Sequence, residues 1–474
     1  MALLSVVDIL NFWPSGTPRF VNTVPTFSPR PSTSLRRTFA LGWGNSRVLK
    51  SLLNMLRDLA NAFVSQQPVF FFFFFVDFAD LMSQLATTRA ISGVRVDVRN
   101  TEDITNEAGY NFSDGVGKIS GFVAHLITTE LDLKLPDSDA TPSCFQFRLG
   151  GCKGVLTVWP DARQREVFIR PSQRKFEATH NILEVIRWSR FATAALNRQL
   201  ITVLSSLGAP DRYFQEKLAL MLKRYEEAMV DPKTAIKLLC KNVDFNESTL
   251  KIAAMVREGF MARQEPFVMS LLKLWRAWAI KYLKERAKIM IDEGAFLLGV
   301  VDETGILDGY YSSKPDNIET SLPEIFVQVD DPENSGKFMI IEGPCIIARN
   351  PSLHPGDVRK VLAVNVPELH HLRNVVVFPQ RGDRDLANML SGGDLDGDDY
   401  IVIWDKALTA SVTNHPPMEY TPMEAYELDR DVEVNDITKF FVNYMRNDCL
   451  GTIANAHLAW ADKLDAGVMS EQCK

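Results

Sequence analysis

Two stretches of short β-like runs, Val94–Phe176 and Gly294–Asp405, are broken by glycines, and the span His180–Met290 between them reads as helix. The first stretch holds Gly115–Ser120, Cys144–Arg148, Gly154–Trp159 and Glu166–Arg170; the second holds Ile325–Val329, Phe338–Ile347, Val375–Phe378 and Tyr400–Trp404. Short runs with turn residues between them favour small barrels over an open parallel sheet. The candidate helices are Asn181–Ser206, Arg212–Val230, Lys233–Leu239, Glu247–Glu258 and Pro266–Met290. Beyond Asn414 the chain is acidic and proline-bearing, then helical. The layout is therefore β-rich, helical, β-rich, helical. No internal repeat stands out, although the two β-rich units have similar lengths.

Residues up to about Thr88 are less informative: proline, serine and arginine dominate, Ser46–Phe63 has a helical pattern, and Phe70–Phe75 are six consecutive phenylalanines. No amphipathic element calls for such a run. It reads as a buried strand or an aggregation hazard, and no function is assigned to it.

Bulk properties narrow the class. A chain of 474 residues allows about two to four structural units. Hydrophobic residues at 46% and charged residues at 23% are ordinary for a globular protein. The net charge of -7 excludes a polycation but not a local basic groove. Six scattered cysteines with no C-x-x-C pair argue against a zinc module or a secreted disulfide framework. The N-terminus carries Asp8 and no basic segment, unlike a signal peptide. The apolar run Val69–Val76 is too short for a bilayer, which needs about 20 residues. The expectation is a soluble intracellular protein, nuclear or cytoplasmic.

The chemistry-bearing segment is Asp394-Leu395-Asp396-Gly397-Asp398, preceded by Gly392-Gly393 and lying between two strand-like runs. Three carboxylates at alternate positions on a tight loop can converge, and glycine permits the sharp turn. Their mutual repulsion calls for a divalent cation, and oxygen-only ligands suit Mg²⁺ or Mn²⁺. An acidic surface turn competes, but apolar strands bracket this loop. An EF-hand needs Gly at the sixth position and Glu at the twelfth, where Asp399 and Asp405 stand. A nucleotide-sugar transferase could also use such aspartates.

Other segments are weaker alone. Arg349–Asp357 is a proline-stiffened turn whose arginine could donate to a ribose or phosphate, or could be a surface arginine. Gly150–Gly154, with Lys153, and Arg170–Phe176, with Lys175, are phosphate-binding loops or merely solvated basic loops. Gly109–Ser120 is glycine-rich but lacks P-loop spacing. In Pro266–Met290, Lys273, Arg276, Lys281, Lys284, Arg286 and Lys288 oppose Leu271, Leu272, Trp275 and Leu283. That helix reads first as a packed helix with a solvated basic face, and alternatively as a wall of a nucleic-acid channel.

Together these segments resemble the eukaryotic, cell-encoded RNA-dependent RNA polymerases of RNA silencing. The resemblance runs collinearly through Phe112–Ser120, Phe145–Val155, Arg170–Phe176, Leu196–Leu200, Asp302–Gly305, Arg349–Asp357, Val366–His371, Val377–Asp383, Ser391–Asp398 and Asn447–His457. It covers the chain from about Thr88 onward. Asp308–Ser321 reads as an insertion, and the chain as truncated within its C-terminal helical region.

The resemblance implies an α+β fold: two double-psi β-barrels joined by a helical connector, with a partial helical head. The corresponding regions are a poorly defined 1–88, a first barrel at 89–179, a connector at 180–292, a second barrel at 293–410 and the start of the head at 411–474. It implies that Asp394, Asp396 and Asp398 are catalytic and hold Mg²⁺ (or Mn²⁺). It further implies that Lys153 and Lys175 neutralise the triphosphate, and that Arg349 lies near the ribose. The expected activity is synthesis of complementary RNA on single-stranded RNA templates from nucleoside triphosphates, giving double-stranded RNA. Dicer and Argonaute pathway proteins, within a nuclear polymerase complex or in the cytoplasm, are the expected partners. Synthesis on single-stranded DNA, and a catalytically inactive RNA-binding fragment, are the alternatives.

Overall fold

In a computed structural model of the chain, the described residues are 89–90, 96–133, 141–176, 182–243, 248–315, 317–331, 337–420, 428–430 and 432–473. The expectations for Ser46–Phe63 and Phe70–Phe75 lie outside them.

The first β-rich stretch supplies β1 (Arg89–Ala90), β2 (Asp97–Asn100), β3 (Val116–Ile119), helix α1 (Gly121–Glu130), β4 (Cys144–Leu149), β5 (Cys152–Val158), β6 (Glu166–Ile169) and β7 (Glu184–Trp188). They form a seven-stranded sheet in the order β1-β7-β4-β5-β3-β6-β2. The Ser120 hydroxyl starts α1 by accepting from the Val123 amide at 3.2 Å. The helix lays Val123, Ala124 and Ile127 onto Phe145, Phe147, Leu156 and Val167 of the sheet, forming a closed apolar core.

Strand β8 (Ala192–Leu196) follows, then helices α2 (Arg198–Ser206), α3 (Asp211–Glu227), α4 (Pro232–Lys241), α5 (Ser248–Arg257) and α6 (Pro266–Arg286). The helix expected over Asn181–Ser206 is thus two strands followed by a helix over Arg198–Ser206 only. Pairing overrides local propensity there: β7 pairs with β4, and β8 lies against the long strand described next, burying Ala194, Ala195 and Leu196. The helix expected to reach Met290 ends at Arg286, where Ala287 turns left-handed (φ 49°).

The second β-rich stretch contributes β9 (Ile289–Val301), β10 (Glu324–Asp330), β11 (Phe338–Ile340), β12 (Gly343–Arg349), β13 (Val358–Ala363), β14 (Val375–Phe378), the short helix α7 (Leu386–Met389) and β15 (Asp399–Ile403). Strands β10, β13, β12, β15, β9 and β14 follow one another around a ring, and pairing of β14 with β10 closes it into a six-stranded barrel. The β14 sequence, Val-Val-Val-Phe, is buried throughout, as a central strand parallel to β9 should be. Val116, Cys144 and Val155 of the first sheet belong to the same apolar cluster as the barrel residues, so the two sheets share one core. Asp308–Ser321 is tied back to the barrel by Tyr310, which bridges to Gly382 and Arg384.

The two sheets repeat one pairing scheme. Take β2, β3, β4, β5, β6, β7 beside β9, β10, β12, β13, β14, β15. In each set the first strand is parallel to the fifth, and the fifth antiparallel to the second. The second is parallel to the fourth, and the fourth antiparallel to the third. The third is antiparallel to the sixth. The second set adds the closing pair, β15 with β9. In the first set, among the described residues, β7 pairs with β1 instead.

Helix α8 (Lys406–Ser411) follows β15 and is capped by the Asp405 carboxylate, which accepts from the Ala407 amide at 2.9 Å. The described residues between Leu428 and Asp448 lie outside the main compact unit and hold α9 (Val434–Asn447). The main unit ends with α10 (Leu450–Lys463), whose Ala461 joins the core formed by α2, α3 and the barrel's outer face. No described helix is long and apolar enough to cross a membrane. All six cysteines are free.

Candidate active site

The loop between α7 and β15 carries the three aspartates. Leu395, only 2% exposed, is its anchor in the barrel core. With Leu395 turned inward, the flanking aspartates turn together. Tyr400, fully buried on β15, donates its hydroxyl to the Asp394 carbonyl at 2.6 Å. The Asp394 amide donates to the Asp398 carboxylate, and the Asp396 amide to the Asp394 carboxylate, both at 3.3 Å. Gly397 holds φ 129°, open to glycine and strained for other residues. One carboxylate oxygen from each of Asp394, Asp396 and Asp398 lies within 4.8 Å of the others.

The first sheet meets this loop face to face. The Leu395 amide donates to the Asp114 carbonyl at 3.1 Å. Gly115 comes so near that a Cβ on it would stand 2.4 Å from the Asp396 Cβ. Lys153 on β5 forms an ion pair with Asp396 at 2.8 Å. Lys175 acts electrostatically on both Asp114 and Asp396. From the barrel side, Arg349 at the end of β12 binds the Asp398 carboxylate through two nitrogens, one at 3.2 Å, and donates to the Ser391 carbonyl at 3.2 Å. All six residues expected from sequence therefore belong to one neighbourhood.

The charges divide unevenly. Burial, reinforced by Asp396 and Asp398, pushes the Asp394 carboxyl well above the ordinary carboxylate range. Burial acts on Asp396 too, but the Lys153 ammonium outweighs it and holds that carboxyl below the usual value. Burial raises Asp398 despite Arg349. A proton-retaining carboxyl beside two others is the state that a hard divalent cation relieves, and all the donors are oxygens. The residues therefore fit such a cation.

Several further residues at the site were not named as site residues from the sequence. Gln146 on β4 donates to the Asp396 carbonyl at 3.5 Å. Arg187 on β7 donates to Gln146 at 2.8 Å, to the Asp399 carboxylate and to the Gly397 carbonyl. Ser172 donates to Asp103 at 2.6 Å and accepts from the Gly115 amide at 3.2 Å, fixing the glycine that touches Asp396. Buried Asp385 caps α7 by accepting from the Asn388 amide at 2.7 Å. Burial pushes its carboxyl up to about 7, and that of Asp114 up to about 6. Gln146 sits in a strand-like run that also carries the resemblance, and Arg187 in a segment that sequence reading took as helix.

Converging carboxylates faced by lysines form a donor set for a hard cation and a polyphosphate, the class of site that serves nucleotidyl transfer. The comparisons agree. The family described as RNA dependent RNA polymerase matches residues 78–474, and the chain belongs to that family. It is 42% identical over 406 residues to RNA-dependent RNA polymerase 1 of Schizosaccharomyces pombe, covering 82% of this chain and 33% of that protein. It is 38% identical over 399 residues to RNA-dependent RNA polymerase 1 of Arabidopsis thaliana, covering 83% and 34%. The chain thus spans about a third of the length of these relatives. Among solved structures it is similar to the RNA dependent RNA polymerase QDE-1 from Thielavia terrestris, with TM-score 0.59 and 25% identity over 78% of this chain and 44% of that one.

Proposed function

We propose that this chain carries the catalytic centre for template-directed synthesis of RNA on single-stranded RNA, with nucleoside triphosphates as substrates and double-stranded RNA as product. The observation that carries the reading is the gathering of Asp394, Asp396 and Asp398 within 4.8 Å, with Lys153 set 2.8 Å from Asp396. Asp394, Asp396 and Asp398 would hold Mg²⁺ or Mn²⁺. When bound, the metal activates the attacking 3′-hydroxyl and stabilises the pyrophosphate leaving group. The side chains do the remainder. Lys153 and Lys175 lie on the far side of the carboxylates, where they neutralise the triphosphate. Arg349 holds Asp398 in place and presents its guanidinium toward the ribose end. Sequence would be read by base pairing, leaving the protein to contact backbone and 2′-hydroxyls.

The first sheet we take as a second double-psi barrel, opposite the closed one and joined to it by the helices of 198–286. The shared pairing scheme supports this. Residues 411–474 would begin a helical head. Double-stranded product would feed a Dicer-type nuclease and Argonaute proteins inside the cell.

The test is incorporation of labelled nucleotides on a single-stranded RNA template with Mg²⁺. Asp396→Ala should lose on the order of 10³-fold or more, since bound metal supplies several kcal/mol of the stabilisation. Template-directed product from the variant at the wild-type rate would sink the assignment. No product from well-folded wild type would favour the RNA-binding reading.

A further inference from the structure

We propose that the outer face of α6 is a binding surface for single-stranded RNA, separate from the carboxylate centre. The inference goes beyond the polymerase reading, because it concerns a helix that takes no part in the site described above.

Helix α6 runs 21 residues from Pro266 to Arg286. One face buries Val268 and Leu272 and packs Leu271 and Trp275 against the core of the helical region. An adjoining strip along the helix leaves Phe267, Leu274, Trp278 and Tyr282 exposed by 60%, 58%, 53% and 40%. Their spacing of seven, four and four residues places them in one stripe along the helix. A contiguous exposed apolar stripe of this size marks a surface that something covers.

The charges beside the stripe indicate what covers it. The exposed positions of the helix also hold Lys273, Lys281, Lys284 and Arg286, against the single acid Glu285, in a chain of net charge -7. Lys281 lies 5.9 Å from the Trp278 ring centroid, and the Trp278 and Tyr282 rings are 5.2 Å apart, tilted by 50°. An apolar protein segment would match the rings but strand the lysines. A strongly acidic peptide would match the lysines but leave the rings uncovered. A single strand of RNA satisfies both, with bases stacked on the aromatic side chains and phosphates beside the ammonium groups.

The test uses the full chain and a fluorescein-labelled oligouridine of about twenty nucleotides, read by fluorescence anisotropy in chelator with no nucleotide present. Trp278→Ala/Tyr282→Ala should weaken binding about tenfold or more while leaving its salt dependence unchanged. Lys281→Glu/Lys284→Glu should weaken binding and also flatten the dependence on salt. All four side chains are exposed, so melting curves should match wild type. Wild-type affinity in either double variant overturns the proposal, and points to a protein partner for this face. Asp396→Ala should bind the probe as wild type does. A chain that makes no RNA can therefore pass this test, and one that polymerises can fail it.

Discussion

The first sheet and the closed barrel share one order of parallel and antiparallel pairings but carry opposite chemistry. The barrel presents its carboxylates on the loop entering β15, held by Arg349 and Tyr400 of the same barrel. The first sheet presents cations, Lys153 from β5 and Arg187 from β7, and a glycine that lets its backbone touch the aspartate loop. The difference teaches that neither sheet is a site by itself. Burial and the neighbouring carboxylates push Asp394 well above the usual carboxylate range, whereas Lys153 of the facing sheet holds Asp396 below it. The two sheets also share a core, so their spacing is set by packing rather than by the charges alone.

That division of labour can be broken most severely by reversing one charge. Lys153→Glu would bring a fourth carboxylate against Asp396 in place of its 2.8 Å ion pair. Nucleotide incorporation should fall on the order of 10³-fold, because a lost cation and an added repulsion act together. A steady-state assay at saturating nucleotide checks this, and a fall of less than about tenfold would show that the opposed charges are incidental.

Next in size is the contact without charge. Gly115→Ala places a methyl about where Asp396 Cβ and Cα already stand, on a backbone at φ 83°. The left-handed conformation alone costs about 1–2 kcal/mol, and the clash must move the loop. Incorporation should drop about a hundredfold while the melting temperature falls by only a few degrees. Equal activity would mean that the sheets can separate without loss.

A smaller effect should follow from Arg187→Ala, which removes the donors to Gly397 and Asp399 and frees Gln146. Because Arg187 touches the loop backbone and Asp399 rather than the three aspartates, kcat should fall about tenfold with KM for nucleotide little changed. Arg187→Lys should recover part of the loss. A change in KM alone would place Arg187 on the substrate instead.

The mildest test concerns stability. Burial lifts Asp385 to about 7 and Asp114 to about 6, so each holds its proton more tightly folded than unfolded. Unfolding then releases protons, and the cation-free protein should lose stability as pH rises from about 4 through about 7. Asp385→Asn keeps the cap on α7 and removes the titration. It should flatten the dependence and stabilise the protein near neutral pH by on the order of 1–4 kcal/mol. Denaturant melts in chelator at about pH 5 and about pH 7.5 would show it; a variant as pH-sensitive as wild type would locate the effect elsewhere.

Much of this molecule could be read from its residues. Val375–Phe378 is a strand at the expected limits, since a run of β-branched residues closed by an aromatic suits a buried centre of a sheet. Helices α3 to α5 lie within a few residues of their expected spans. Asn181–Ser206 misled because its alanine-rich part, Ala-Thr-Ala-Ala-Leu in β8, suits a helix as well as a strand, and the partners β4 and β9 made strands of β7 and β8. Arg187 was hidden by that same ambiguity: inside an expected helix it had no reason to point at a loop 210 residues away.

By itself the sequence marked the aspartate loop as a candidate cation site, for alternating acids with glycines before and within can converge on one point. It also determined the alternation of β-rich and helical regions, through the periods of its apolar residues. Only the tertiary structure decided that the two β-rich regions follow one pairing scheme, because strand pairing depends on backbone hydrogen bonds that leave little trace in side-chain identity. It alone decided that Lys153, Gly115 and Arg187 meet the loop, since such contacts join residues distant in the chain and depend on how two sheets share a core.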